Sequence, residues 1–270
     1  MDNGARRRVC NEAYRLEAPA GAAVVELSLE QFKLKMPKAL KSFQKIISGL
    51  RDRYGRPEPP KVTDPLGIIL RENVAYLLSD ERREQAFNAL RERVGLTPPE
   101  ILMAHEETLL EVTRFGGMHP AARVEKLRRI AQIALQEFDG DFDRVLKQPL
   151  ARAKKSLKKF PGIGDPGAER ILLFSRTHPI LALDSNGLRV LLRLGYGEER
   201  KSYASTYRSA QEAAESELRK DFDWLIAAHQ LLRRHGQELC KMKAPVCSPC
   251  PLKGHCIYYK ENVRPSASEK

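Results

Sequence analysis

No apolar run in the chain approaches the roughly 20 residues that a membrane-spanning helix requires, and the N-terminal MDNGARRRVCNEAY lacks the apolar core of a secretory signal. Membrane insertion and secretion are therefore not expected, and the chain reads as cytosolic. After the first thirty residues no stretch alternates apolar and polar side chains as a half-buried strand would, and no internal repeat is visible. Sheet-based and repeat folds are set aside in favour of an all-α pattern. Cysteine is scarce and unevenly placed, since four of the five fall between positions 240 and 256. In a reducing compartment that distribution argues against disulfide staples and for a metal or cluster site. Cys10 stands apart and reads as a free thiol.

Positive charge is what the 270 residues have in excess: 47 Lys and Arg against 35 Asp and Glu, a formal net charge of +12. Such an excess suits a polyanionic partner, although ribosomal, RNA-binding and membrane-surface proteins share it. With 42% hydrophobic and 30% charged residues, the chain can bury the core of one large or two interleaved domains.

Residues 1–27 carry mixed charge and no assignable function. Ser28-Leu29-Glu30-Gln31 has capping-box spacing, so a helix is expected to start there. Phe43, Ile46, Ile47, Leu50 and Tyr54 then recur at helical spacing up to Gly55. Asp64-Pro65 reads as the cap and first residue of a helix striped by Leu66, Ile69, Leu70 and Val74. Asn73 interrupts that stripe, either as a hydrogen-bonded core group or as a group facing a cleft. Further helices are expected from Glu81 to Arg93, from Pro98 to Arg114, from Pro120 to Glu137, from Lys201 to Arg219 and from Phe222 to Arg234.

Phe160-Pro161-Gly162-Ile163-Gly164-Asp165 is the bend around which these helices are organised. Its glycines permit a tight turn and close approach by a partner, and Asp165 followed by Pro166 reads as an N-cap and first helical residue. With Lys154, Lys155, Lys158 and Lys159 alongside, outward N–H groups here suit a phosphate. Asp184 opens another helix. Downstream, Cys240, Cys247, Cys250 and Cys256 have the spacing C-x6-C-x2-C-x5-C. Four thiolates can hold Zn²⁺ or a [4Fe–4S] cluster. A zinc ribbon pairs two C-x2-C knuckles and only one is present, so the long first gap suits the larger object.

The bend, the following Leu183-Asp184-Ser185 and the cysteine cluster together resemble the endonuclease III branch of the helix-hairpin-helix DNA glycosylases, over about Leu50 to Tyr258. The resemblance implies a two-lobed all-α glycosylase fold: a six-helix barrel at 64–186 containing the helix-hairpin-helix at about 156–175, and an iron-sulfur lobe built from 28–63 plus 187–260. Residues 1–27 would be an extension and 261–270 a disordered tail. It further implies a cytoplasmic monomer, nucleoid-associated in a bacterium, that acts on double-stranded DNA containing a damaged or mismatched base. Cys240, Cys247, Cys250 and Cys256 would hold a [4Fe–4S] cluster, and Asp184 would stabilise the sugar cation formed as the N-glycosidic bond breaks.

By the same resemblance Gly162, Ile163 and Gly164 would grip backbone phosphate, and Lys243 with its loop neighbours would add unspecific backbone contacts. Asn73 stands where the family has a glutamine that fills the gap left by the extruded base. Gly117 or Met118 would occupy the wedge position. Pro166 departs from the pattern: bifunctional members carry a lysine there that forms a Schiff base with the sugar. The expected enzyme is therefore a monofunctional glycosylase, with a bifunctional glycosylase/lyase and a non-catalytic damaged-DNA-binding protein as the alternatives.

Overall fold

In a computed structural model, residues 42–75 and 78–263 are described; the extension 1–27 with Cys10, the helix expected from Ser28, and residues 264–270 lie outside them. Every regular element among the described residues is helical. None of these helices is long and apolar enough to cross a membrane.

Local signals explain most helix ends. Helix α1 (Phe43–Tyr54) stops at Gly55, which takes a left-handed φ of 76°. Helix α2 (Pro65–Val74) starts where Asp64 accepts the Gly67 N–H at 2.6 Å, with proline at its first position. It is followed by α3 (Asp80–Arg93). The run expected as one helix from Pro98 to Arg114 is two, α4 (Pro98–Met103) and α5 (Glu106–Phe115). The Thr97–Glu100 capping box starts α4, and the break after it is stabilised from a distance. Arg128 donates to the Leu102 and Ala104 carbonyls, each at 3.1 Å, so both remain satisfied without a continuous helix.

Arg128 belongs to α6 (Pro120–Phe138), which with α7 (Phe142–Leu146), α8 (Leu150–Leu157) and α9 (Asp165–Phe174) closes a first core. Ile69, Leu70, Phe87, Leu109, Leu127 and Ile130 fill its centre, each worth about 1.5–3 kcal/mol as an apolar side chain removed from water. Phe138 and Phe142 stack at 4.7 Å, and both pack on Phe160, which roots the glycine bend.

A second core joins α1 to α10 (Ser185–Leu194), α11 (Tyr203–Ala214) and α12 (Phe222–Glu238). The helix expected from Lys201 to Arg219 is shorter, because α11 tightens into a 3₁₀ turn at Glu215–Glu217. After the cysteine loop comes α13 (Ile257–Asn262). Phe174, at the end of α9, packs against both cores. Helix α9 therefore carries the bend at its N-terminus, and the segment leaving its other end leads to Asp184.

Candidate active site

Asp184 caps α10. Its Oδ1 accepts the Gly187 N–H at 2.7 Å, and its Oδ2 accepts from the Asn186 amide at 3.0 Å and lies 3.4 Å from Arg233 Nε. The side chain is 18% exposed and lines a cleft of about 1180 Å³ together with Glu72, Arg170, His229 and Arg233. Both carboxylate oxygens are held, one by the cap and the other by Asn186 and Arg233, while the group faces the opening.

The extended segment before Asp184 is clamped at three successive residues. Gln211 donates to the Leu181 carbonyl at 2.8 Å, His229 Nδ1 meets the Ala182 carbonyl at 2.9 Å, and the Leu183 N–H donates to the Tyr207 hydroxyl at 3.1 Å. Tyr207 in turn donates to Glu169 at 2.6 Å, and Glu169 also accepts from Gln211 and pairs with Lys154. Glu169 is buried on α9. Burial pushes the Tyr207 hydroxyl far above its ordinary range, with the Glu169 charge adding to it, so it stays a donor. Burial likewise pushes His229 down to about 4. A neutral ring donating from Nδ1 fits the carbonyl it faces.

Within the bend, Gly162 takes a φ of 73°, a conformation that favours glycine. Gly164 is extended and is itself the N-cap of α9. Asp165 is thus the first helical residue and not the cap, and its carboxylate pairs with Lys158 at 3.1 Å and Lys154 at 3.3 Å. The N–H groups of Gly162 and Gly164 make no hydrogen bond among the described residues and both glycines are exposed. Ile163 corrects the expectation of a contact through that residue: its side chain is buried and its N–H bonds to the Phe160 carbonyl. Three of the four neighbouring lysines are committed internally, the third being Lys159 through Glu137. Lys155 has no ion-pair partner among the described residues.

Asn73 requires a larger correction. It is 5% exposed, and its amide donates to the Ile69 carbonyl at 3.0 Å and to the Pro161 carbonyl at 2.9 Å. It is a buried strut beneath the bend, since turning it outward would strand the Pro161 carbonyl. Arg71 and Glu72 are the residues of α2 that face the cleft near it. Burial opposes charge on Glu72, but Arg170 at 2.9 Å and Arg83 at 3.2 Å outweigh it and hold the carboxyl below its usual range.

At the turn after α5, Gly117 adopts a φ of 94° and Met118 projects with 72% of its surface exposed. A Cβ on Gly116 would overlap the Val74 carbonyl, so this turn is fitted against the end of α2. Arg123 Nε fixes the Met118 carbonyl at 3.1 Å.

The four cysteine thiols line one pocket with Val190, Leu194 and Leu252. Arg189 holds the loop through the Cys240 and Gly236 carbonyls at 2.8 and 2.9 Å, and Arg193 lies 3.3 Å from Cys240 Sγ. Burial raises the Cys247 and Cys256 thiols and pushes Cys250 up to about 11. Among the described residues no three His, Cys, Asp or Glu groups converge on an ion-sized point. Four thiols on one apolar pocket are a donor set that fits Zn²⁺ or an iron–sulfur cluster. Lys243 is exposed on this loop.

Periodicity alone missed Glu169, Tyr207, His229, Arg170 and Arg233. A partial signal exists for two: Glu169 lies between Ala168 and the apolar run Ile171–Leu173, and His229 sits on the apolar face of α12, positions where a polar group needs a buried partner.

No family model matches the chain. Among curated proteins, endonuclease III of Thermotoga maritima is 28% identical over 204 residues, covering 76% of this chain and 88% of its own length. The thymine/uracil-DNA glycosylase of Pyrobaculum aerophilum is 27% identical over 230 residues, covering 81% and 92%. Among solved structures, a thermostable thymine-DNA glycosylase superposes with a TM-score of 0.66 at 17% identity, over 81% of this chain and 97% of its own. A trapped endonuclease III–DNA covalent intermediate gives 0.64 at 20% identity, over 83% and 100%.

Proposed function

We propose that this chain, a DNA glycosylase of the endonuclease III-like helix-hairpin-helix type, hydrolyses the N-glycosidic bond of a damaged or mismatched base turned out of duplex DNA, with water and not an enzyme amine as nucleophile. The observation that carries the reading is Asp184, a carboxylate locked by its own helix cap and by the clamped segment 181–183, open to a cleft between two helical cores. As the bond between C1′ and the base nitrogen breaks, its electron pair leaves with the base and positive charge grows on the sugar. A fixed anion there favours that state and orients the water whose oxygen bonds to C1′, one water proton passing to the carboxylate while the departing base takes a proton from solvent.

The other parts have matching roles. The free N–H groups of Gly162 and Gly164 and the uncommitted Lys155 suit backbone phosphate, as does exposed Lys243. Met118, apolar and outstretched on a rigid turn, is suited to enter the duplex and hold the step open, at a cost of about a few kcal/mol of unstacking. Pro166 sits half-buried in the first turn of α9 and offers no nucleophile. Lys61 is the lysine that lines the cleft among the described residues. Incubation with abasic-site DNA and borohydride is expected to leave the protein unmodified; an efficient adduct, mapped to Lys61, would establish the lyase instead.

Cys240, Cys247, Cys250 and Cys256 would hold a [4Fe–4S] cluster, which when bound ties together a loop with little apolar content of its own. Protein purified without oxygen should be brown and contain one cluster per chain, and Cys250→Ser should lose iron and loosen the loop. Colourless protein carrying zinc would overturn this assignment.

A further inference from the structure

Arg233 bridges the cleft. Its Nη2 donates to both carboxylate oxygens of Asp80, at 2.6 and 2.9 Å, while its Nε lies 3.4 Å from Asp184 Oδ2. Asp80 begins α3, which packs into the first core through Phe87 and Leu90, and Arg233 follows Leu231 and Leu232 of the second. Three other guanidinium pairs at the cleft behave differently: Arg71 with Glu84, and Arg83 and Arg170 with Glu72, join helices of the first core to one another. Arg233 is thus a cationic fork beside the catalytic carboxylate whose main partner stands on the opposite wall. Both members of the pair remain partly open to solvent, at 32% and 42%.

We propose that Arg233 is a phosphate-binding residue of the DNA-bound state, and that Asp80 is its stand-in partner until the phosphodiester beside the extruded nucleotide replaces it. The inference rests on the glycosylase reading, because it takes Asp184 to act at C1′. In a nucleotide the 5′-phosphorus is joined to C1′ through only O4′, C4′, C5′ and O5′. A guanidinium already near the group that addresses C1′ is therefore within reach of that phosphate. A guanidinium that donates to two carboxylate oxygens can donate to two phosphate oxygens equally well. Exchange of one anion for another also leaves the guanidinium paired throughout, so no bare charge is left in the cleft. Release of Asp80 unfastens the two walls where DNA must enter.

The test uses the full-length protein with a duplex carrying one tetrahydrofuran abasic-site analogue, and the same duplex undamaged, followed by fluorescence anisotropy over a salt series. Arg233→Gln should weaken binding of the analogue duplex by about tenfold and flatten the slope of log K against log salt by about 0.9, the value for one lost phosphate contact. Asp80→Asn should tighten binding severalfold at every salt concentration, because the internal competitor is gone. Arg233→Lys, which keeps the charge without the fork, should retain the slope and lose part of the affinity; thermal melts of each variant identify any that misfold. If both Arg233→Gln and Asp80→Asn weaken binding, or if the Arg233→Gln slope equals that of the parent, the pair is only an internal tie. A parent protein that does not distinguish the two duplexes would instead overturn the glycosylase reading, and this proposal with it.

Discussion

Asp184→Asn is expected to keep the fold and lose base release by about 10³-fold under single-turnover conditions, the scale on which removal of one transition-state electrostatic contact is felt. Asparagine is nearly the same size, and its side-chain oxygen can still accept the Gly187 N–H now taken at 2.7 Å. Asparagine and aspartate rank together as N-caps, so stability should change by less than about 1 kcal/mol. What the substitution removes is the formal charge, together with the acceptor that Asn186 and Arg233 share at Oδ2. A variant that melts with the parent and binds an abasic-analogue duplex like the parent, yet releases almost no base, isolates that charge as the catalytic requirement. The substrate is found first, by screening single-lesion duplexes for base release by the parent. Retention of activity within tenfold would show that Asp184 is a helix cap and nothing more, and would return the binding-protein alternative to the front.

The parts of this site that were legible beforehand are those written in local sequence. Gly162 needs its left-handed backbone, Asp184 caps the residues directly after it, and the cysteines declare themselves by spacing. Helix starts at Pro65 and Pro98 were legible for the same reason: cap and proline are neighbours in the chain. Of the two roles the pattern leaves open for Asn73, the buried hydrogen-bonded one is decided by Pro161, 88 residues away. The break between α4 and α5 depends on Arg128 in the same manner. Arg233 lies next to the apolar pair Leu231 and Leu232 and reads in one dimension as an ordinary solvated charge. Only the approach of α3 and α10 gives it two carboxylates.

Glu169→Ala should be the most destabilising single change near the site, by about 3–5 kcal/mol, because it breaks a buried pair and leaves its partners without one. Lys154 would lose its main anion, the Tyr207 hydroxyl its acceptor, and Gln211 one of its two contacts. For a domain of this size the expected shift in melting temperature is roughly 10 °C, at about 2–4 °C per kcal/mol. A loss below about 1 kcal/mol would mean that the network relaxes onto water and does not hold the segment. Tyr207→Phe separates stability from positioning, since it spares the Lys154–Glu169 pair and removes only the hydroxyl between Glu169 and the Leu183 N–H. That variant should lose about 1–3 kcal/mol, the usual cost of stranding buried hydrogen-bonding groups, with faster hydrogen exchange confined to Leu183 and its neighbours. If the clamp sets where Asp184 stands, base release should fall in Tyr207→Phe with binding of the abasic-analogue duplex unchanged, because the hairpin that would grip phosphate is rooted separately on Phe160 and Asn73.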